Sequence, residues 1–246
     1  MPTVGGSIMA ETAGTAVVIG ASSGIGEALA RQLAATGWRL GLAARRLDRL
    51  EALAREISPS ALSRRIDLAA PGPATAALEG LFRDLGGVDL VVISAGTGYL
   101  NPDLDWALDR ETLDVNVLGF TVVAHAAMRH FIARGRGHLV GITSVGGLRG
   151  DADGAAYCGT KAFQSIYLDG LRALAAQKRL PITVTEAQPG FVETAMMKAK
   201  TTFWVASAEA AARAIMAAVH RRAKHAYITR RWGLIAFLFR RLPRPG

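Results

Sequence analysis

Residues 15–37 read TAVVIGASSGIGEALARQLAATG. The first five, Thr15–Ile19, are a short apolar run rich in β-branched residues, the composition of a buried strand. A turn follows through Gly20, Ser22, Ser23, Gly24, Ile25 and Gly26. From Glu27 the apolar residues recur at helical spacing until Gly37, a stopping glycine. Strand, glycine turn and helix in this order make a dinucleotide site, because the free N–H groups at the helix start face a pyrophosphate. The glycines are spaced G-x-x-x-G-x-G, which differs from the G-x-G-x-x-G fingerprint.

Outward from this unit, strands and helices alternate. The pattern predicts strands over Arg39–Ala44 and residues 62–68, 88–96, 138–143, 181–188 and 226–229. Helices fall between them, including a long one over residues 109–133 and another beginning at Ser207. This regular alternation predicts α/β architecture: a single doubly wound, Rossmann-type domain over residues 14–229 with a central parallel sheet flanked by helices. Residues 1–13 read as a flexible leader, and residues 230–246 as a basic, apolar tail.

Composition narrows the function. A chain of 246 residues, half of them hydrophobic, buries a substantial core. The single cysteine, Cys158, excludes an internal disulfide, and no Cys/His cluster has metal-ligand spacing. The N-terminal stretch lacks the charged and apolar regions of a signal peptide, so a cytoplasmic location is expected. The net charge of +9 suggests nucleic acid until its distribution is read. No acid follows Glu209, whereas nine of the 29 bases do, which leaves 20 bases against 20 acids in the first 209 residues. A neutral body with a basic tail argues against nucleic acid as a partner.

The chemistry concentrates in residues 143–161, TSVGGLRGDADGAAYCGTK. Tyr157 and Lys161 are four apart where an amphipathic helix begins, so they share one face. A free tyrosine titrates near pH 10, too high to exchange protons at neutrality. A cation within about 4–6 Å favours the phenolate, and lowering the value by roughly 3 units takes about 4 kcal/mol. Tyr157 is therefore a candidate general acid/base. Ser144, at a strand end, is placed to hold a carbonyl oxygen beside that phenol. Asn116 lies inside the long helix between two valines, where an asparagine needs a reason. An amide satisfied by neighbouring backbone would be a structural one.

The glycine turn with Asn116, Ser144, Tyr157 and Lys161, in this order and spacing, resembles the short-chain dehydrogenase/reductase superfamily over nearly the whole chain. The resemblance makes those four residues the catalytic tetrad, with Asn116 kinking its helix and holding a water that links Lys161 to solvent. It implies that Asp67, with Leu68, meets the adenine. Ser94, Ala95 and Gly96 stand where the family has Asn-Ala-Gly, letting the nucleotide approach the strand end. Pro189, Gly190, Val192 and Thr194 fall where the family binds the carboxamide and phosphate. Ile19 replaces the usual threonine before the first glycine, a departure that bears on turn bonding rather than on cofactor choice.

At the end of the second strand an NAD enzyme of this fold would carry an acid; here Ala44 is followed by Arg45 and Arg46. An arginine accepts a 2′-phosphate bidentately where an acid repels it. The expected cofactor is therefore NADPH/NADP, with Ser22 as a helper. Two solvated arginines at a helix start are the plain alternative.

The expected activity is NADP(H)-dependent interconversion of a carbonyl and a secondary alcohol. Residues 195–206, including Met196, Met197, Phe203 and Trp204, read as a short lid over an apolar or lipid-linked substrate. A β-ketoacyl thioester is the alternative within the enzyme class. An NADP-binding sensor or scaffold is the alternative outside it, and the complete tetrad argues against that one. Family members are usually homodimers or homotetramers, and Phe163, Ile166, Leu171 and Leu174 form an apolar face that could pair between subunits. In the tail, residues 232–239 are apolar all round, span about 12 Å as a helix and cannot cross a bilayer core of about 30 Å. They either pack on the body or a partner, or make peripheral membrane contact with help from the flanking arginines.

Overall fold

The computed structural model describes residues 13–194 and 203–241. Residues 1–12 of the expected leader, Met196 and Met197 of the lid, and the chain end from residue 242 lie outside the described residues.

Seven strands form one sheet: β1 Thr15–Ile19, β2 Arg39–Ala44, β3 Leu62–Arg65, β4 Leu90–Ile93, β5 Gly137–Ile142, β6 Ile182–Pro189 and β7 His225–Ile228. All pair in parallel, in the order β3-β2-β1-β4-β5-β6-β7. The connecting helices are α1 Gly24–Ala35, α2 Leu47–Ile57, α3 Pro71–Asp84, α4 Trp106–Leu113, α5 Phe120–Arg134, α6 Ala155–Gln177 and α7 Ala208–His220, and α8 Trp232–Arg241 follows β7.

Strand side chains alternate between two cores. Val17, Ile19, Val91, Ile93 and Leu139 pack with α3, α5 and α6, whereas Ala16, Val18, Leu90, Val92 and Val140 pack with α1, α2 and α7. A sheet buried on both faces explains why its strands read as continuous apolar runs. The order reverses between β1 and β4, and in such sheets ligands bind beyond the strand ends at that reversal.

Several boundaries differ from the sequence pattern for local reasons. The third strand stops at Arg65, because the Asp67 carboxylate accepts the Ala69 N–H (3.1 Å) and turns the chain towards α3. That helix starts at Pro71, since prolines in the first turn have no helical bond to lose. The fourth strand stops at Ile93, where Ser94 and Ala95 both donate to the Ile19 carbonyl. The long helix begins at Trp106, capped by Asp105, whose carboxylate accepts the Ala107 N–H (2.9 Å). It is long and apolar enough to cross a membrane, but Val123, Ala127 and Phe131 have no exposed surface, so it is a core helix. Of the expected oligomer face, Phe163 and Ile166 point outward, whereas Leu171 belongs to the core and Leu174 is half-buried.

His138 on β5 is buried, with Nε2 2.8 Å from the Thr185 hydroxyl. Burial, with Arg222 nearby, pushes its pKa down to about 4. The folded protein therefore keeps it neutral where the unfolded chain would protonate it. The resulting cost is absent above about pH 6.5, grows as pH falls, and is complete below about 4, at about 3 kcal/mol. Urea melts should lose stability across that window, and His138→Gln should flatten the slope. An unchanged slope would remove His138 as its source.

Candidate active site

The nucleotide end of the site is shaped by close backbone approach. Gly20 has φ +90°, a left-handed conformation suited to glycine, and a Cβ there would lie 2.5 Å from the Ala95 nitrogen. A Cβ on Gly26 would collide with the Gly20 carbonyl. The turn thus presses against Ser94 and Ala95, the end of β4, and leaves the start of α1 open. Thr194 reaches the same place, its methyl group 3.0 Å from where a Cβ on Gly24 would stand. Gly190 donates to the Ile228 carbonyl, and Val192 bridges to Ala206, holding the segment before the lid on the body.

Arg46 lies over the turn. Its Nη2 donates to the hydroxyls of Ser22 (2.9 Å) and Ser23 (2.8 Å), and its Nε reaches Ser22 at 3.3 Å. Arg45 turns elsewhere, 3.8 Å from the Glu111 carboxylate, with both side chains well exposed. A turn with no room for a Cβ at Gly20 or Gly26, a free helix start and a guanidinium beside two serines fit a phosphorylated dinucleotide. Ile66 donates to the Ala44 carbonyl (3.0 Å), which brings Asp67 and Leu68 to the end of β2, and Leu68 packs under Gly119.

At the chemical end, Ser144 is extended and accepts the Gly146 N–H on its hydroxyl (3.1 Å), capping a short turn over Val145–Leu148. The Tyr157 ring lies beside that hydroxyl, both within 3.4 Å of where a Cβ on Gly146 would stand. The Tyr157 ring lies against the backbone of Gly98, where a Cβ would be 2.5 Å from Cδ2. One turn further along α6, Lys161 is 4% exposed, with its Nζ 5.7 Å from the Tyr157 ring centre. It donates to the Ile142 carbonyl (3.2 Å) and to Gln164 Oε1 (3.0 Å).

The expectation that Lys161 holds the phenol low is corrected here. Burial pushes the Tyr157 pKa up, against the pull of the Ser144 hydrogen bond, and burial pushes the Lys161 pKa down to about 8. Both groups are desolvated, and desolvation disfavours each charged form. The phenol is therefore protonated at neutral pH and can donate.

Asn116 lies in a single π-helical stretch, Asp114–Gly119, between α4 and α5. Its amide is fully engaged: Nδ2 donates to the Thr97 carbonyl (2.7 Å) and the Thr160 hydroxyl (3.1 Å), and Oδ1 accepts the Thr97 N–H (2.9 Å). The side chain thus ties the loop after β4 to α6. Its carbonyl accepts from Gln164 Nε2 (2.8 Å), so the Gln164 carboxamide spans Lys161 and Asn116.

Gln164 was not singled out from the sequence, although it is a polar residue in the inward stripe shared by Lys161, Leu168 and Leu171. Gln188 was missed as well. Its Nε2 donates to the Ser144 carbonyl (3.1 Å), and its Oε1 is 2.9 Å from His225 Nε2. Only the pairing of β6 with β5 and β7 reveals that contact. Cys158 is buried, and its thiol is pushed up by burial, which suits packing rather than nucleophilic work.

Comparison with known proteins agrees with this geometry. The short chain dehydrogenase family profile matches residues 14–203. The chain belongs to that family. It is an oxidoreductase with the family's Rossmann-type fold. An uncharacterized oxidoreductase of Myxococcus xanthus is 37% identical over 185 residues, 73% of this chain and 72% of its own. A short-chain dehydrogenase from Sphingobium yanoikuyae, solved in complex with NADPH, superposes with a TM-score of 0.80 at 25% identity, covering 95% of this chain and 98% of that one. A 3-ketoacyl-(acyl-carrier-protein) reductase from Brucella melitensis, complexed with NADH, superposes at 0.75 and 25% identity, covering 84% and 91%.

Proposed function

We propose that this oxidoreductase uses NADPH to reduce a ketone or aldehyde to an alcohol, or runs the reverse oxidation, on an apolar or lipid-linked substrate. The observation that carries the reading is the Tyr157 ring set beside the Ser144 hydroxyl, one helical turn from the buried Lys161. The preference for NADPH rests on Arg46 over the glycine turn and on Ala44 where an acid would select NAD. It draws support from the NADPH carried by the Sphingobium relative; the Brucella reductase carries NADH, so family membership alone does not choose.

The nucleotide supplies the hydride when bound, and the protein supplies orientation and electrostatics. The glycine turn, Arg46 and Thr194 hold its phosphates. Tyr157 donates its proton to the carbonyl oxygen, and Ser144 holds that oxygen in place. Lys161 offsets the charge that remains on the phenol oxygen, and Asn116 with Gln164 holds Lys161 in position. Consumption of NADPH over a panel of apolar ketones, polar aldehydes and β-ketoacyl thioesters tests the reading. Turnover confined to the thioesters would favour the second reading, the reaction for which the Brucella relative is named. Nucleotide binding without any turnover would favour a sensor. The enzyme is expected to act in the cytoplasm as a homodimer or homotetramer, with Phe163 and Ile166 on the outer face of α6 available for pairing.

The Lys161 pKa sets a pH limit. A plot of kcat/KM reports the free enzyme, so the reductive rate should fall above about pH 8 as Lys161 loses its proton. Gln164 Oε1 favours the ammonium. Gln164→Leu should therefore move that limb to lower pH and cost about tenfold in turnover, near the low end for a hydrogen bond to a charged group. Gln164→Glu should move the limb upward. A purely structural role for Gln164 would lower activity without moving the limb.

A further inference from the structure

The tail read from sequence as apolar all round is two-faced in the fold. Trp232 and Ala236, one turn apart, are 3% and 0% exposed and seat α8 on the body. The Trp232 ring stacks on Phe203 (5.2 Å between centres) and meets Phe191 and Trp204 edge-on. It also fills the space above Gly190, where a Cβ would strike the ring. The opposite face carries Leu234, Phe237 and Leu238, between 48% and 68% exposed, and Phe239 at the border of the seated face is 37% exposed. Scattered exposed apolar residues need no explanation, but four large ones on a single ten-residue helix do.

Charge selects the occupant. Arg230, Arg231 and Arg241 are exposed at the two ends of the helix, and no acid follows Glu209 in the chain. Arg241 lies over the Phe237 ring (4.7 Å) and Arg231 over Trp204 (5.5 Å), so the cations border the apolar face directly. A second copy docking here by two-fold symmetry would set these arginines against their own counterparts. An acidic protein would answer the cations but leave the protruding Leu234 and Phe237 without an apolar layer to enter. An anionic bilayer answers both, with acyl chains for the apolar side and headgroups for the guanidinium groups.

We propose that the outward face of α8 docks the protein on anionic membranes as an interfacial helix. The helix lies beside the site: Phe239 is 5.8 Å from the Arg149 guanidinium, just past the turn that Ser144 caps, and Trp232 packs on Phe203 at the lid's end. Docking would bring the substrate opening to the lipid, a clause that rests on the reading of an apolar or lipid-linked substrate.

Co-sedimentation of the full chain with phosphatidylglycerol/phosphatidylcholine vesicles tests the docking and needs no turnover, so its failure is distinct from failure of the reductase reading. The protein should pellet with these vesicles at low salt. It should be released towards 1 M salt, where the screening length falls to about 3 Å, and should stay in the supernatant with phosphatidylcholine alone. Leu234→Ser/Phe237→Ser/Leu238→Ser should weaken partitioning at least about tenfold. Because all three side chains are exposed, the variant should melt as the parent does, and Tyr157→Phe should sediment unchanged. An intact protein that remains in the supernatant at low salt overturns the proposal. So does a triple variant that pellets as well as its parent. A triple variant whose main change is a smaller oligomer in sedimentation velocity assigns the face to a second copy, and binding to an acidic carrier protein but not to vesicles assigns it to a protein; either result overturns membrane docking.

Discussion

Tyr157→Phe should lose at least about a hundredfold in turnover while binding NADPH as tightly as the parent protein. Phenylalanine keeps the ring that rests on Gly98, so the loop after β4 and the nucleotide pocket beside it keep their packing. What disappears is the hydroxyl of the ring beside Ser144, and with it the proton donor. General acid–base catalysis contributes about a hundredfold to ten-thousandfold, so even its low end removes about 2.7 kcal/mol of barrier lowering. Single-turnover kinetics with saturating NADPH would separate the two effects. Turnover within a few-fold of the parent would take the proton transfer away from Tyr157. Weakened nucleotide binding together with lost turnover would mean that the ring had moved, and Ser144→Ala would then be the cleaner probe.

The second large effect concerns nucleotide choice. NADPH should bind more tightly than NADH, and replacing Ala44 by Asp together with Arg45→Ala and Arg46→Ala should invert the order. Arg46 already holds the two turn serines, so its guanidinium stands at the mouth of the turn before any ligand arrives. Arg45 is exposed, and a 3.8 Å approach to Glu111 leaves it able to swing. Each charge-assisted bond to a phosphate is worth about 1.5–3 kcal/mol, so losing one costs roughly tenfold or more. An acid at residue 44 then adds repulsion of the 2′-phosphate and a partner for ribose hydroxyls. Fluorescence titration of both nucleotides reads the ratio directly. Equal dissociation constants in the parent protein would leave Arg46 as a residue that merely braces the turn.

The sequence by itself determined the α/β alternation, the position of the glycine turn and the spacing that puts Tyr157 and Lys161 on one helical face. These are local properties: a period of 2 or 3.6 residues and the conformational needs of glycine are written along the chain. Strand ends were less legible. Residues 88–96 read as one apolar run, yet β4 ends at Ile93 because Ser94 and Ala95 turn to bond Ile19 on another strand. The long helix was placed, but its π-helical stretch at Asn116 depends on Thr97 and Thr160 meeting one amide from two distant segments.

Only the tertiary structure decided the electrostatics of the site. Sequence shows that an ammonium lies near a phenol and so predicts a lowered tyrosine. The fold buries Lys161 and half-buries Tyr157, and removal of water disfavours both charged forms, leaving a protonated Tyr157 and a weakened Lys161. The Ile142 carbonyl that holds that lysine, and the Gln188 that holds Ser144, likewise come from packing between elements far apart in the chain, whereas Gln164 is three residues along the same helix. The tail shows the same division. Its composition read as uniformly apolar, and what made it two-faced was the pocket over Gly190 that Trp232 fills, with Ala236 buried beside it. Periodicity reports which residues can face together, whereas burial is a property of what they face, and that is set by segments the local pattern does not contain.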